Sequence, residues 1–269
     1  LNFNNKDVRI TTNYYEKNIL SSIFSTIHEG GHAIYEQQID DIVSETVLGE
    51  GTSMGIHESQ SRIFENMFGR NIDFLKNIFN KFDELFDVRS KGIEVEDFYK
   101  IVNTVSKSLI RIEADELTYP IHIMIRYELE KEIFSNLDEI ESSEYIDYLA
   151  NKWADMYEEF LGVRPTTNSE GILQDVHWSS GLFGYFPSYA LGSAYAAQIY
   201  NSMNKEFSIE ENLSNGNFDN INSFLKDKIH KFGKSKTPNE LLILATGEAF
   251  NPDYYINYLK EKYRKIYGI

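Results

Sequence analysis

The sequence predicts a mainly α-helical fold with a small β element near one particular helix. Three observations predict it. Apolar residues recur at helical spacing through most of the 269 residues, only one stretch near the start alternates like a strand, and helix start and stop signals bracket the later segments.

Asp7-Val8-Arg9-Ile10-Thr11-Thr12-Asn13-Tyr14 alternates and is rich in β-branched side chains, so a short strand is expected there. Residues 46–51 form either its partner or a loop. A helix is expected over about residues 16–38, and a second from near Ser53 that carries His57-Glu58-Ser59-Gln60. Phe74, Ile78, Phe82, Leu85 and Phe86 mark the apolar face of the next. Residues 94–137 read as one or two long helices kinked at Pro120. A helix over 143–161 ends at Gly162, and two more cover 193–207 and 218–232. Thr237-Pro238-Asn239-Glu240 is a capping box with proline at the first helical position. Asn251-Pro252-Asp253 opens the last helix and Gly268 closes it. Residues 163–188 have no clear period. They are rich in Trp, Phe, Tyr and His, which marks them as a functional loop rather than a disordered one. The chain is read as one domain, residues 1–269.

Composition narrows the function. Hydrophobic residues are 42% and charged residues 25%, ordinary for a globular protein, and the 18 Tyr and 18 Phe are read mostly as helix packing. Lys+Arg 26 against Asp+Glu 42 gives −16, a charge that repels nucleic acid and anionic membranes, so neither is expected as a partner. With no cysteine there are no disulfides and no Cys-type zinc sites, which fits a reducing compartment. No signal peptide and no bilayer-length apolar run is visible. The chain opens on Leu1 rather than Met, with a motif-bearing segment almost at once, so we expect it to be the C-terminal part of a longer protein.

The most informative stretch is His28-Glu29-Gly30-Gly31-His32. On a helix, histidines four apart share a face with Cβ atoms about 5–6 Å apart, a span that lets two imidazoles bind one zinc ion. Glu29 then projects beside the metal, where it can take a proton from the attacking water. Such a site needs a third protein ligand and an open position. Glu58 is the candidate, against a plain solvated helix-face acid. His57 is its rival, since adjacent helix residues point about 100° apart and only one can face the metal.

At this point five motifs stand in one order: Asp7-Arg9-Thr11, His28 to His32, His57-Glu58-Ser59-Gln60, Ile110-Arg111-Ile112-Glu113-Ala114-Asp115, and Gly171-Gln174-Asp175-His177-Trp178. In them the chain resembles the catalytic half of the M32 metallocarboxypeptidases, the carboxypeptidase Taq type. The family's H-P-F motif and its long helical N-terminal half would lie before Leu1. The resemblance implies a helical, glutamate-zincin-like catalytic fold, with His28, His32 and Glu58 as zinc ligands. Another divalent metal such as Co²⁺ is an alternative occupant. It implies Glu29 as general base and later as proton donor to the leaving amine.

The same resemblance makes Arg111 the group that binds the substrate's terminal carboxylate, a task suited to a planar guanidinium. Spacing alone favours a pair with Glu113 or Asp115 instead. Arg9 is the second candidate, against a strand-edge pair with Asp7. His177, Tyr189 and Tyr185 are candidate donors to the developing oxyanion, against simple packing. Gln174 and Asp175 are read as orienting the loop or a ligand histidine, and His122 and His230 as packed histidines. The implied activity is removal of single residues from peptides with a free C-terminus, by a cytoplasmic homodimer. An endo-acting oligopeptidase of related fold, or an inactive helical fragment, is the alternative.

Overall fold

The computed structural model describes residues 2–139 and 142–269; Leu1 lies outside them. The chain is mainly helical and divides into two compact units, one formed by residues 1–103 and 191–269, the other by residues 104–190.

The first unit opens with a two-stranded antiparallel hairpin, β1 (Asn2–Asn4) and β2 (Asp7–Val8), which packs against α1 (Ile19–Gln37). The expected strand stops at Val8. Residues 10–14 have the propensity but are not in a ladder among the described residues. Residues 46–51 are turn and loop, not a partner strand. The Asn18 side chain caps α1 by accepting from the Ser21 N–H. After α2 (Asp41–Ser44), Ser53 caps α3 (Met54–Arg62) in the same way through the Ile56 N–H. α3 widens into a π-helical stretch, Ile63–Gly69.

In α4 (Ile72–Phe86), Leu75 and Phe79 carry the burial and pack with Phe24, Phe98 and Val102. Phe74, Ile78 and Phe82 flank them as expected, but Leu85 and Phe86 are exposed, because the helix ends one residue later at left-handed Asp87. α5 (Val95–Val102) follows. The main core of this unit joins Tyr35, Ile56, Ile63 and Phe68 to Ile199 and Met203 of α8 (Pro187–Glu206), and to Leu225 and Leu241. The last two lie on α10 (Asp219–Lys228) and α11 (Pro238–Thr246), after the short α9 (Ile209–Ser214). α11 opens on the expected capping box, and α12 (Asp253–Tyr267) stops at Gly268 as expected.

Two boundaries differ from expectation for physical reasons. α8 starts at Pro187, because proline's missing N–H costs nothing in a first turn. α10 stops at Lys228 and gives way to tight turns through Gly233, whose φ of 50° suits glycine.

In the second unit, α6 (Tyr119–Ser135) and α7 (Ser143–Leu161) bury Ile125, Leu129, Leu149, Trp153 and Tyr157 between them. Pro120 sits in the first turn of α6 rather than at a kink. Asp115 starts that helix: its carboxylate accepts from the Leu117 and Thr118 N–H groups and the Thr118 hydroxyl. Residues 163–186 are irregular apart from a turn at Trp178–Ser180, as expected.

Candidate metal centre

Packing between α1 and α3 builds the centre. A Cβ on Gly31 would lie 2.6 Å from the Gln60 carbonyl oxygen and 2.7 Å from the Ser61 Cα, so glycine at this position lets the two helices meet. Gly192 does the same for α8, where a Cβ would lie 2.6 Å from both Cβ and Cγ of Glu58. Gly30, by contrast, has no such neighbour within 4 Å.

Among the described residues, His28, His32 and Glu58 form a group whose ligand atoms all lie within 4.8 Å of one another. Glu58 Oε2 is 3.7 Å from His28 Nε2 and 3.6 Å from His32 Nε2. A tetrahedral divalent ion with ligands at about 2.0–2.1 Å spaces its donors roughly 3.4 Å apart, so the group fits such an ion. Two imidazoles and one carboxylate also match the donor set of a three-ligand catalytic site with an open position. His57, the rival ligand, points elsewhere: its Nδ1 lies 2.6 Å from His32 Nδ1 and its Nε2 lies 2.7 Å from Glu36 Oε1. Glu29 is half-buried beside His28 on α1.

Each ligand has an outer partner. His28 Nδ1 meets Glu65 Oε2 at 2.9 Å, and Arg62 Nε donates to Glu58 Oε1 at 2.7 Å. Burial opposes ionisation of Glu65, but the bond from His28 and the charges of Arg62 and Arg70 outweigh it and hold the carboxyl well below the usual range. Burial, then the neighbouring His57 and His28, pushes His32 down to about 2, so its imidazole is neutral, as a ligand must be. Sequence reasoning missed Glu36, Arg62 and Glu65. A signal existed for two of them: Arg62 and Glu65 follow Glu58 at helical spacing of four and seven.

In the second unit, Arg111 is buried on a short 3₁₀ turn, Arg111–Glu113, not on a long helix. Its partner is neither Glu113 nor Asp115. Nε and Nη2 donate to Asp175 Oδ1 at 2.9 and 2.8 Å, and Nη1 donates to the Tyr119 hydroxyl. The other Asp175 oxygen accepts from fully buried Arg126 at 2.7 Å. Gln174 ties the two arginines together, its Oε1 accepting from the Arg111 N–H and from Arg126 Nη2. Gln174 and Asp175 thus order the loop through arginines.

His177 Nε2 lies 3.0 Å from the Tyr189 hydroxyl, and the ring packs on Tyr185 and Phe186. Its Nδ1 is buried without a hydrogen-bond partner. Burial, then the charge of Arg111, holds this imidazole below the ordinary histidine range.

In the first unit, exposed Arg9 donates twice to Asp7, at 2.8 Å each, in the strand-edge pair considered above. His230 is fully buried between Gln38 and Gln60. His122, in the second unit, is equally buried and meets Tyr157. Burial first pushes both down to about 3, in keeping with packed histidines. Among the described residues no helix is long and apolar enough to cross a membrane.

Comparison with known proteins converges on one family. The family model for carboxypeptidase Taq (M32) metallopeptidases matches residues 1–263. Carboxypeptidase 1 of Bacillus subtilis (strain 168) is 49% identical over 265 residues, covering 98% of this chain and 52% of that protein. Thermostable carboxypeptidase 1 of Thermus thermophilus is 42% identical over 264 residues, covering 97% and 50%. The crystal structure of an M32 carboxypeptidase from Deinococcus radiodurans R1 superposes with a TM-score of 0.93 at 38% identity, covering 99% of this chain and 53% of that one. The chain spans about half the length of the relatives it matches.

Proposed function

The chain belongs to the M32, carboxypeptidase Taq family of metallopeptidases, and from that premise we propose that it carries the metal centre of a zinc-dependent carboxypeptidase that removes single residues from peptide C-termini. The observation that carries the reading is the convergence of His28, His32 and Glu58. These three residues would hold the ion, and Co²⁺ is a cation the same donors accept. When bound, it supplies a Lewis acid that polarises the scissile carbonyl and acidifies water.

The chain's own residues do the rest. Glu29 takes the proton of the attacking water and later passes it to the leaving amine. His177 and Tyr189, with Tyr185 beside them, are donors for the developing oxyanion, a role supported by the polar His177–Tyr189 pair at 3.0 Å. Arg111 binds the terminal carboxylate of the substrate. In support, Arg111 is buried and its planar guanidinium suits a carboxylate. Arg9, with its pair to Asp7, is the rival for that role. Peptides with free C-termini are the substrates, and the working form is a cytoplasmic homodimer, which light scattering of the purified protein checks.

The test is mass spectrometry of a mixed peptide pool incubated with the zinc-loaded protein, with each peptide present as free acid and as C-terminal amide. Loss of single residues from the free acids alone is expected. Internal cleavage of the amides would make the protein an endopeptidase, and no release from either would make it catalytically silent.

A further inference from the structure

His57 is not part of the metal group of His28, His32 and Glu58. Its surroundings give it another task. His32 Nδ1 and His57 Nδ1 are 2.6 Å apart, so one proton lies between them. For His32 to offer a lone pair at Nε2, on the side of Glu58, its proton must sit on Nδ1. His57 Nδ1 is then the acceptor, and the His57 proton sits on Nε2, where it donates to Glu36 Oε1 at 2.7 Å. This is a single consistent assignment along three residues, and it ends on a carboxylate that is only 6% exposed. Glu36 Oε1 also accepts the Gly51 N–H at 3.2 Å, which fixes that oxygen. Room for the ring is built in as well: a Cβ on Gly51 would lie 2.6 Å from His57 Cδ2.

We propose that His57 and Glu36 are positioning residues that lock His32 in its Nδ1–H tautomer and aim its Nε2 at the metal position. One turn of α3 then does two jobs. Glu58 completes the ligand set while its neighbour His57, pointing about 100° away around the helix, orients a ligand on α1. The inference rests on the metal reading of His28, His32 and Glu58 and deepens it. Partners of this kind raise ligand basicity, and their loss typically costs about 10–100-fold in metal affinity.

The experiment is a chelator competition that measures zinc affinity of the full chain, paired with thermal melting of the metal-free protein. The variants are His57→Leu, His57→Gln and Glu36→Gln. Leucine fills much of the space but leaves His32 Nδ1 without an acceptor. Glutamine keeps an acceptor and a donor on one side chain. We expect His57→Leu to lose about 10–100-fold in zinc affinity, His57→Gln to recover part of that loss, and Glu36→Gln to weaken binding with little change in metal-free melting. Equal zinc affinity in wild type and all three variants overturns the relay. So does an equal loss in the leucine and glutamine variants that merely tracks a lower melting temperature, since packing alone explains it. If wild type itself binds no zinc, the metal reading fails first and the relay with it. The Glu36→Gln variant, which keeps shape, decides the matter if His57 variants fold poorly.

Discussion

His28 and His32 stand four residues apart on one helix and meet a glutamate from the next, whereas Arg111 meets Asp175 across 64 residues of chain. The first group is built by helix periodicity and by glycines that let helices touch. The second is built by an irregular loop that folds back onto two buried arginines. The difference teaches which parts of a site a helix pattern can specify. Ligand geometry on a helix follows from spacing, but charge pairing in a loop follows from the fold alone. The two groups should therefore fail differently. Substitutions at the first should remove metal or chemistry and spare the rest, while substitutions at the second should couple substrate preference to stability.

The sharpest break of the comparison is Glu29→Gln. The amide keeps the shape but accepts no proton, so turnover should fall about 10²–10⁴-fold with metal content unchanged. Near-normal turnover in steady-state assays would remove Glu29 from the chemistry. In the second group, Asp175→Ala leaves Arg111 and Arg126 buried without their shared carboxylate. Breaking a buried pair in this way costs about 3–5 kcal/mol, and denaturant titration should show it. A variant as stable as wild type would mean that the arginines are satisfied elsewhere.

Arg111→Ala sharpens the contrast at smaller amplitude. Losing a hydrogen bond to a charged group costs on the order of 1.5–3 kcal/mol, or roughly ten- to a hundredfold in preference for free over amidated C-termini. Metal content should not change. Arg9→Ala is the control: if it alone abolishes the preference, the carboxylate is bound by Arg9. The smallest effects separate the two adjacent glycines of the first group. Gly31→Ala places a methyl against the backbone of α3 and should cost about 1–3 kcal/mol. Gly30→Ala meets nothing and should stabilise α1 by about 0.5–1 kcal/mol. Equal melting temperatures for the two variants would contradict the close approach of α1 and α3.

Much of this was legible in the residues. The helical class, the caps at Ser53, Thr237 and Gly268, and the irregular stretch before Pro187 follow from periodicity and from local side-chain chemistry. The pairing of His28 and His32 follows from the pitch of one helix. The choice of Glu58 over His57 needed either the family pattern or the packing of α3 on α1, because both residues sit in the same turn. The one or two helices expected over 94–137 are two, α5 and α6, separated by a non-helical stretch between Val102 and Tyr119 rather than by a kink at Pro120. There the Asp115 side chain takes backbone N–H groups and Arg111 turns into a 3₁₀ segment toward Asp175. Apolar spacing carries no trace of either event. The Arg111–Asp175 pair and the His57–Glu36 link were hidden for the same reason, since polar partners across the fold leave no period in the sequence.

The central claim is that His28, His32 and Glu58 hold one divalent cation, and elemental analysis of zinc-dialysed protein tests it most directly. One zinc per wild-type chain is expected, with none retained by His32→Ala. Undiminished zinc in that variant would contradict it.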